Sequence, residues 1–242
     1  MDQTTERKPE RKSEPKSERA AARDGGLAGE PAITHQFFDR AGARLTLAVP
    51  AGLTDPSVPV TRGDLDLDPA VWERAGVAAT RPAAVLVPVV DRPQPGVILT
   101  MRTSELPSHA GQIAFPGGKI ETTDAGPLAA ALREAKEEID LDARFVHPIG
   151  YLDVYLTFSG FRILPLVARI DPGYALSLNA AEVADAFEVP LDFLMGPENH
   201  QRHSRDWKGI RREYYAMPYQ ERYIWGVTAG ILRNLYERVY GA

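Results

Sequence analysis

The sequence contains no cysteine, no long apolar run and no surplus of basic charge. Without cysteine there can be no disulfide, no thiolate metal site and no thiol nucleophile, a composition that fits a cytoplasmic protein, the expected location. The longest apolar stretch, Pro82 to Val90, has the length of a buried strand and falls well short of the ~20 residues of a membrane span. Acidic residues outnumber basic ones, 33 to 28, giving a net charge of -5. A general nucleic-acid binder needs a basic face, so neither nucleic acid nor membrane is an expected partner. The first residues are highly charged and lack the apolar segment of a signal peptide. What is present is ordinary for a globular protein: 44% hydrophobic and 25% charged residues. The length allows one large domain or two small ones, with a substantial core.

Residues 1–30 form a compositional block of their own. Charges of both signs alternate (Glu6, Arg7, Lys8, Glu10, Arg11, Lys12) around Pro9 and Pro15. Such a segment buries too little surface to offset its ordering entropy and is expected to be a disordered charged tail, with a partner-binding arm as the functional alternative. Residues 31–80 are mixed and read as an N-terminal extension packing on the core. In that stretch Gln36-Phe37-Phe38 opens a helix or a strand, and Asp66 to Arg74 suits a short helix. Residues 81–242 carry the main domain. Ala83 to Val90, Gly96 to Arg102, Gln112 to Phe115, Val146 to Leu156, Phe161 to Ile170, Val183 to Val189 and Arg211 to Ala216 read as strands. Pro127 to Ile139 reads as a helix with proline at its first position. Leu191 to Met195 suits one helical turn, and Tyr223 to Tyr240 an amphipathic helix. Strands mixed with a few helices predict an α/β layered domain.

The chemistry concentrates in GGKIETTDAGPLAAALREAKEEIDL, Gly117 to Leu141. On a helix, Leu128, Ala131, Leu132, Ala135 and Ile139 share an apolar face, and Glu134, Glu137 and Glu138 fall on another arc at i, i+3 and i+4, next to one another. Like charges at that distance repel, and the C-terminal half of a helix disfavours anions. A bound divalent cation reverses both effects, and oxygen ligands suit Mg²⁺. Taken alone, the EAKEE string also fits a solvated face with Arg133–Glu137 and Lys136–Asp140 pairs. The preceding Phe-Pro-Gly-Gly, a plain turn in isolation, lets backbone approach a ligand closely. Loop and helix together form a site able to hold metal and diphosphate.

These residues closely resemble the Nudix box, Gly-x5-Glu-x7-Arg-Glu-U-x-Glu-Glu-x-Gly-U with U aliphatic, on which Gly118, Arg133, Glu134, Ala135, Glu137, Glu138 and Leu141 fall. Asp124 stands where the first Glu is expected, one extra residue separates it from Arg133, and Asp140 replaces the final Gly. Upstream, LTMRTSELPSHAGQIAFPGG, Leu99 to Gly118, resembles the signature of the coenzyme A diphosphatase branch at Thr100, Arg102, Leu106, His109, Gly111, Gln112 and Phe115 to Gly118. Arg222 to Ala229 also looks like this branch. Thr103 replaces its Ser and keeps a hydroxyl. Pro107 stands where Arg is common and removes a cation that could contact an anionic substrate, a change that bears on substrate choice more than on diphosphate hydrolysis.

The resemblance implies an α/β/α sandwich around a central mixed sheet, Mg²⁺ or Mn²⁺ as cofactor, and cleavage of coenzyme A or its derivatives to 3′,5′-ADP and (acyl-)4′-phosphopantetheine. It implies that Gly117, Glu134, Glu137, Glu138 and Glu182 hold metal, with Glu134 alternatively acting as the base that orients water and Glu182 equally suiting a solvated position before a strand. Arg133 would fix a box carboxylate, its alternative being a surface ion pair. Arg102, His109, Gln112 and Gly118 would face the substrate, and His109 and Gln112 equally suit structural roles. Asp124 is read as structural ahead of catalytic, and Trp225 as core ahead of a base-stacking platform. A small-molecule nucleotide is the expected partner, and a homodimer remains open. Two other functions stay in view: hydrolysis of ADP-ribose, a dinucleotide or a nucleoside triphosphate, and a non-catalytic nucleotide-sensing Nudix domain.

Overall fold

A computed structural model describes residues 33–64, 66–69, 80–106, 108–207 and 210–241. The expected tail at 1–30, Pro107 and most of the helix expected at Asp66 to Arg74 lie outside the described residues. Helix α1 spans Ile33–Arg44, resolving the helix-or-strand ambiguity at Phe37. The strands that follow are β1 (Arg62–Gly63), β2 (Arg81–Val90), β3 (Gly96–Arg102), β4 (Ile113–Ala114) and β5 (Gly117–Lys119). Helix α2 is Pro127–Ile139. Then come β6 (Val146–Tyr151), β7 (Tyr155–Leu156), β8 (Phe161–Ile170), β9 (Val183–Pro190), the short helix α3 (Leu191–Met195), β10 (Gln201–Trp207), β11 (Ile210–Tyr219), β12 (Arg222–Trp225) and helix α4 (Val227–Tyr240).

The main sheet is mixed. β2 and β8 run parallel through ten paired residues, while β3, β5, β6, β7 and β9 join antiparallel. Alternation along β2 separates two cores, as a period of two requires. Ala84, Leu86 and Val90 pack with Ala131, Ala135 and Ile139 of α2. Val87 and Val89 pack on the other side with Phe37 and Ala41 of α1 and with Ile231, Leu232 and Leu235 of α4. The sheet is thus sandwiched between helices, the expected α/β/α architecture. Among the described residues no helix is long and apolar enough to cross a membrane.

Pro88 marks where the sheet forks. The Leu86 N–H donates to Pro116 O at 2.8 Å, so Pro88, two residues on, turns the position of its missing N–H to the same side. There β5 has already ended and pairing with β3 starts only at Val89. Beyond the fork β3 diverges to pair with β4 and β9.

Two expectations are corrected. The final helix starts at Val227 rather than Tyr223: Arg222–Trp225 is a strand, and Gly226, at φ 62°, turns the chain into the helix. Aromatic and β-branched residues suit the strand, and the positive φ favours glycine. The stretch read as one strand from Val146 to Leu156 is two, because the chain leaves the ladder at residues 152–154 and re-enters at Tyr155. β10 had no sequence signal, since QRHSRDW lacks apolar alternation.

Candidate active site

The site lies at the fork, where β5 delivers Gly117 and Gly118 against α2. Gly117 has φ 154° and turns its N–H away from the ladder toward the Glu138 carboxylate, 3.3 Å from Oε2. A carbon added at Gly117 would lie 2.6 Å from Val85 Cα, and one at Gly118 would lie 2.6 Å from Glu134 Cδ. Only glycine allows strand and helix to approach this closely.

The closeness redistributes the three glutamates. Helix periodicity placed them together on a polar arc, but Glu138 is only 3% exposed and lies on the buried side with Ala135 and Ile139. Burial pushes its carboxyl up to about 7; the Gly117 N–H and Arg102 oppose this, while Glu134 and Glu182 add to it. Glu134 is partly buried under Gly118, and burial raises it too, with Glu137 and Glu182 contributing and Arg133 opposing. Glu137 points outward, its side chain 54% exposed.

Arg133 organises the polar side. Its Nε and Nη2 each lie 3.0 Å from an oxygen of Asp124, a bidentate pair. Nη1 reaches Glu134 and Glu137, each at 3.0 Å, and Nη2 also donates to Lys119 O at 3.1 Å. Asp124 closes its own loop by accepting from the Glu121 N–H at 2.8 Å, and Arg133 holds its carboxyl below the ordinary range. Both ion pairs of the solvated-face reading, Arg133–Glu137 and Lys136–Asp140, are present alongside this clamp.

Arg102 ends β3 opposite Glu138, with Nη1 3.9 Å from Oε1. Its Nε is buried and has no hydrogen-bond partner among the described residues. The Arg102 backbone is held by the following loop: its N–H donates to Gln112 O and its carbonyl accepts from the Gly111 N–H. In that loop His109 adopts φ 58°, and its Nδ1 lies 2.9 Å from Gln112 Oε1. His109 and Gln112 therefore pair with each other beside Arg102. Glu182 enters from the far side, where its carbonyl accepts from the Thr103 N–H at 3.0 Å. Asn179 went unnoticed in the sequence. Its N–H donates to Glu138 O at 2.9 Å and its Nδ2 lies 3.4 Å from Glu182 Oε1, joining the helix end to that loop. The only cue was an Asn three residues before an acid.

The donors gathered here, the carboxylates of Glu134 and Glu138, are hard oxygens that suit a divalent cation such as Mg²⁺. Burial, with the neighbouring carboxylates, holds Glu138 and Glu134 above the ordinary range, a cost that a bound cation would offset. Among the described residues no three His, Asp or Glu side chains already enclose a metal position. Glu137 is engaged outward with Arg133, so a cage would need water and substrate phosphate to complete it.

Residues 80–208 match the NUDIX domain family. A protein of Cronobacter sakazakii named uncharacterized Nudix hydrolase NudL is 43% identical over 155 residues, covering 64% of this chain and 81% of that protein. Its namesake from Yersinia pestis is 38% identical over 162 residues, 67% and 81% of the two chains. A MutT/nudix family protein of Enterococcus faecalis superposes with a TM-score of 0.43 at 13% identity, over 72% of this chain and 68% of that one.

Proposed function

The chain belongs to the Nudix family and is a hydrolase of phosphorus-containing anhydrides, and on that premise we propose that it cleaves the diphosphate bond of coenzyme A or its acyl derivatives, with Mg²⁺ or Mn²⁺. The observation that carries the reaction is the buried Glu138, which accepts the Gly117 N–H and faces Arg102 across 3.9 Å. Coenzyme A as the substrate rests on the likeness of Leu99 to Gly118 to the coenzyme A diphosphatase branch.

A divalent cation held by Glu138, Glu182 and the Gly117 carbonyl, with Glu137 recruited from Arg133, would neutralise diphosphate charge and acidify a water. Arg102, whose side chain is partly exposed, binds a phosphate oxygen through a terminal guanidinium nitrogen, a charge-assisted contact. Glu134, fixed between Gly118 and Arg133, orients the attacking water and takes its proton. The water oxygen forms a new bond to one phosphorus as the bridging P–O bond breaks, and the leaving phosphate departs as an anion. Arg133, locked by Asp124, positions Glu134 and does not itself touch substrate. His109 and Gln112, paired with each other, hold the loop around Arg102. Such a reaction depends mainly on positioning and electrostatics.

The test is incubation of coenzyme A with the protein and Mg²⁺ or Mn²⁺, with products resolved by mass. The expected products are 3′,5′-ADP and 4′-phosphopantetheine, absent when a chelator is added. Cleavage of ADP-ribose with coenzyme A left intact would keep the reaction and reassign the substrate, in line with Pro107. No turnover of any diphosphate would leave a nucleotide-sensing domain.

A further inference from the structure

The three-stranded sheet β10–β11–β12 has an outer face that the reaction above does not use. Strand register puts His203, Arg205, Arg212, Tyr214, Tyr223 and Trp225 on that face. Met217 and Ile224 project the opposite way, into the core. None of the described side chains that these three strands place on the outer face is a carboxylate, although Arg212 there stacks on Phe158 and faces the buried Asp64 carboxylate of another segment. Asp206 and Glu213 fall on the other side by register.

The rings form a structured surface. Tyr223 and Trp225 are inclined by only 31° with centroids 6.4 Å apart, side by side as a shallow floor. Tyr214 stands at 64° to Trp225, 5.3 Å away, as an upright edge. His203 Nδ1 lies 2.7 Å from the Tyr223 hydroxyl, which lies 3.4 Å from that of Tyr214. These contacts fix the rings in place before any ligand arrives. Trp225 is therefore only half-buried, not the core residue expected from the sequence, and Tyr223 is 40% exposed.

Both ends of β12 are tied to the strands that build the active site. Thr228, just past Gly226, donates from its hydroxyl to Ile113 O at 2.9 Å, in the strand that leads to Gly117. Arg222 pairs with Asp185 at 2.8 Å and stacks 3.4 Å above the Phe187 ring, and Asp185 pairs with Met101, the neighbour of Arg102.

We propose that Tyr223 and Trp225 are a stacking floor for the nucleobase of the substrate, with Tyr214 as its wall and Arg205 supplying positive potential toward its phosphate. The proposal rests on the nucleotide-hydrolase reading and extends it to the half of the substrate that does not react. Stacking on an aromatic ring recognises any base through its π-face, so the floor supplies affinity and orientation and leaves the choice of base open. Arg205, two residues along β10 from His203 on this face, suits a phosphorylated nucleoside better than an uncharged partner.

The test uses the full chain without metal, titrated calorimetrically with 3′,5′-ADP and, in parallel, with ribose 5-phosphate, which lacks a base. Wild type is expected to bind 3′,5′-ADP and to bind ribose 5-phosphate far more weakly. Tyr223→Ala should weaken 3′,5′-ADP binding about tenfold, the scale of one lost stacking contact, and Tyr223→Phe should restore it. Equal binding of 3′,5′-ADP by wild type and Tyr223→Ala would overturn the proposal. So would a Tyr223→Ala variant that changes only the sedimenting mass, which would make this face a contact between copies of the chain. Turnover of coenzyme A by wild type is measured separately. Ring-dependent binding without turnover would remove the reaction and keep the platform, and turnover with ring-independent binding would do the reverse.

Discussion

Gly118 lies directly beneath the Glu134 side chain: a methyl carbon built on it would come 2.6 Å from Glu134 Cδ. The obstacle is the far end of a flexible side chain, so Gly118→Ala should move the carboxylate and leave the backbone in place. Hydrolysis is expected to fall by at least about tenfold, the scale for misplacing a group that acts in the transition state. The melting temperature should shift little. Gly117→Ala differs, because its new carbon would meet Val85 Cα at 2.6 Å in a backbone held at φ 154°. It should lower the melting temperature far more than Gly118→Ala. Equal thermal shifts in the two variants would contradict the distinction between a side-chain and a backbone obstacle.

Arg133 holds Asp124 through two parallel hydrogen bonds while its third nitrogen reaches Glu134 and Glu137. Lysine keeps the charge but cannot reproduce the fork. Arg133→Lys should therefore reduce kcat by about 100-fold, as expected when positioning is lost, with KM changed much less. Steady-state kinetics on the variant decide this. A variant with near wild-type kcat would reduce Arg133 to a surface ion pair.

Asp64 gives the stability a pH dependence. Its carboxylate accepts from the Phe158 N–H at 2.8 Å and the Tyr155 hydroxyl at 3.1 Å. Burial nevertheless raises it from 3.8 to about 6, against the pull of those two donors and Arg212. The folded state then holds this proton more tightly than the unfolded state, so its contribution is greatest below pH ~4 and declines through pH ~6. The decline is at most about 3 kcal/mol. Denaturation of wild type and Asp64→Asn between pH 4 and 7 should show a shallower fall in the variant. Asparagine leaves fewer acceptors for the two donors, so the variant should also start from lower stability. Parallel curves would mean that Asp64 is ionised in both states across that range.

The main sheet and α2 were legible because their residues speak locally. Ala83 to Val90 is apolar and β-branched, and Pro127 opens the helix that the left-handed Asp140 closes. Arg133, Glu134 and Glu138 were recognisable by spacing, but their division of labour was not. Helical periodicity cannot tell that two glycines on a neighbouring strand bring the sheet close enough to bury Glu138 and leave Glu137 in solvent. β10 was silent because Arg202, Ser204, Arg205 and Asp206 are exposed, so no apolar alternation records the strand. Trp225 could not be placed without knowing that Gly226 ends a strand there, which turns the indole outward beside Tyr223.

Glu138 sets stability against function. A carboxylate 3% exposed, raised to about 7 and repelled by Glu134 and Glu182, burdens the metal-free fold. Its long 3.9 Å approach to Arg102 offsets only part of that cost. Glu138→Gln retains an oxygen to accept the Gly117 N–H and removes the buried charge. Without metal the variant should therefore melt no lower than wild type. With Mg²⁺ or Mn²⁺ the order should reverse. Wild type would gain stability by mass action, about 2.7 kcal/mol when the ion is at 100 times its dissociation constant, and a chelator would abolish the gain. The variant should gain far less and lose hydrolysis by about 100-fold or more. Glu137→Gln, at the exposed position, separates the two contributions: it should leave the metal-free melting temperature nearly unchanged and still impair turnover if Glu137 leaves Arg133 to join the cation. A Glu138→Gln protein stabilised by Mg²⁺ as strongly as wild type would place the cation away from the buried end of α2.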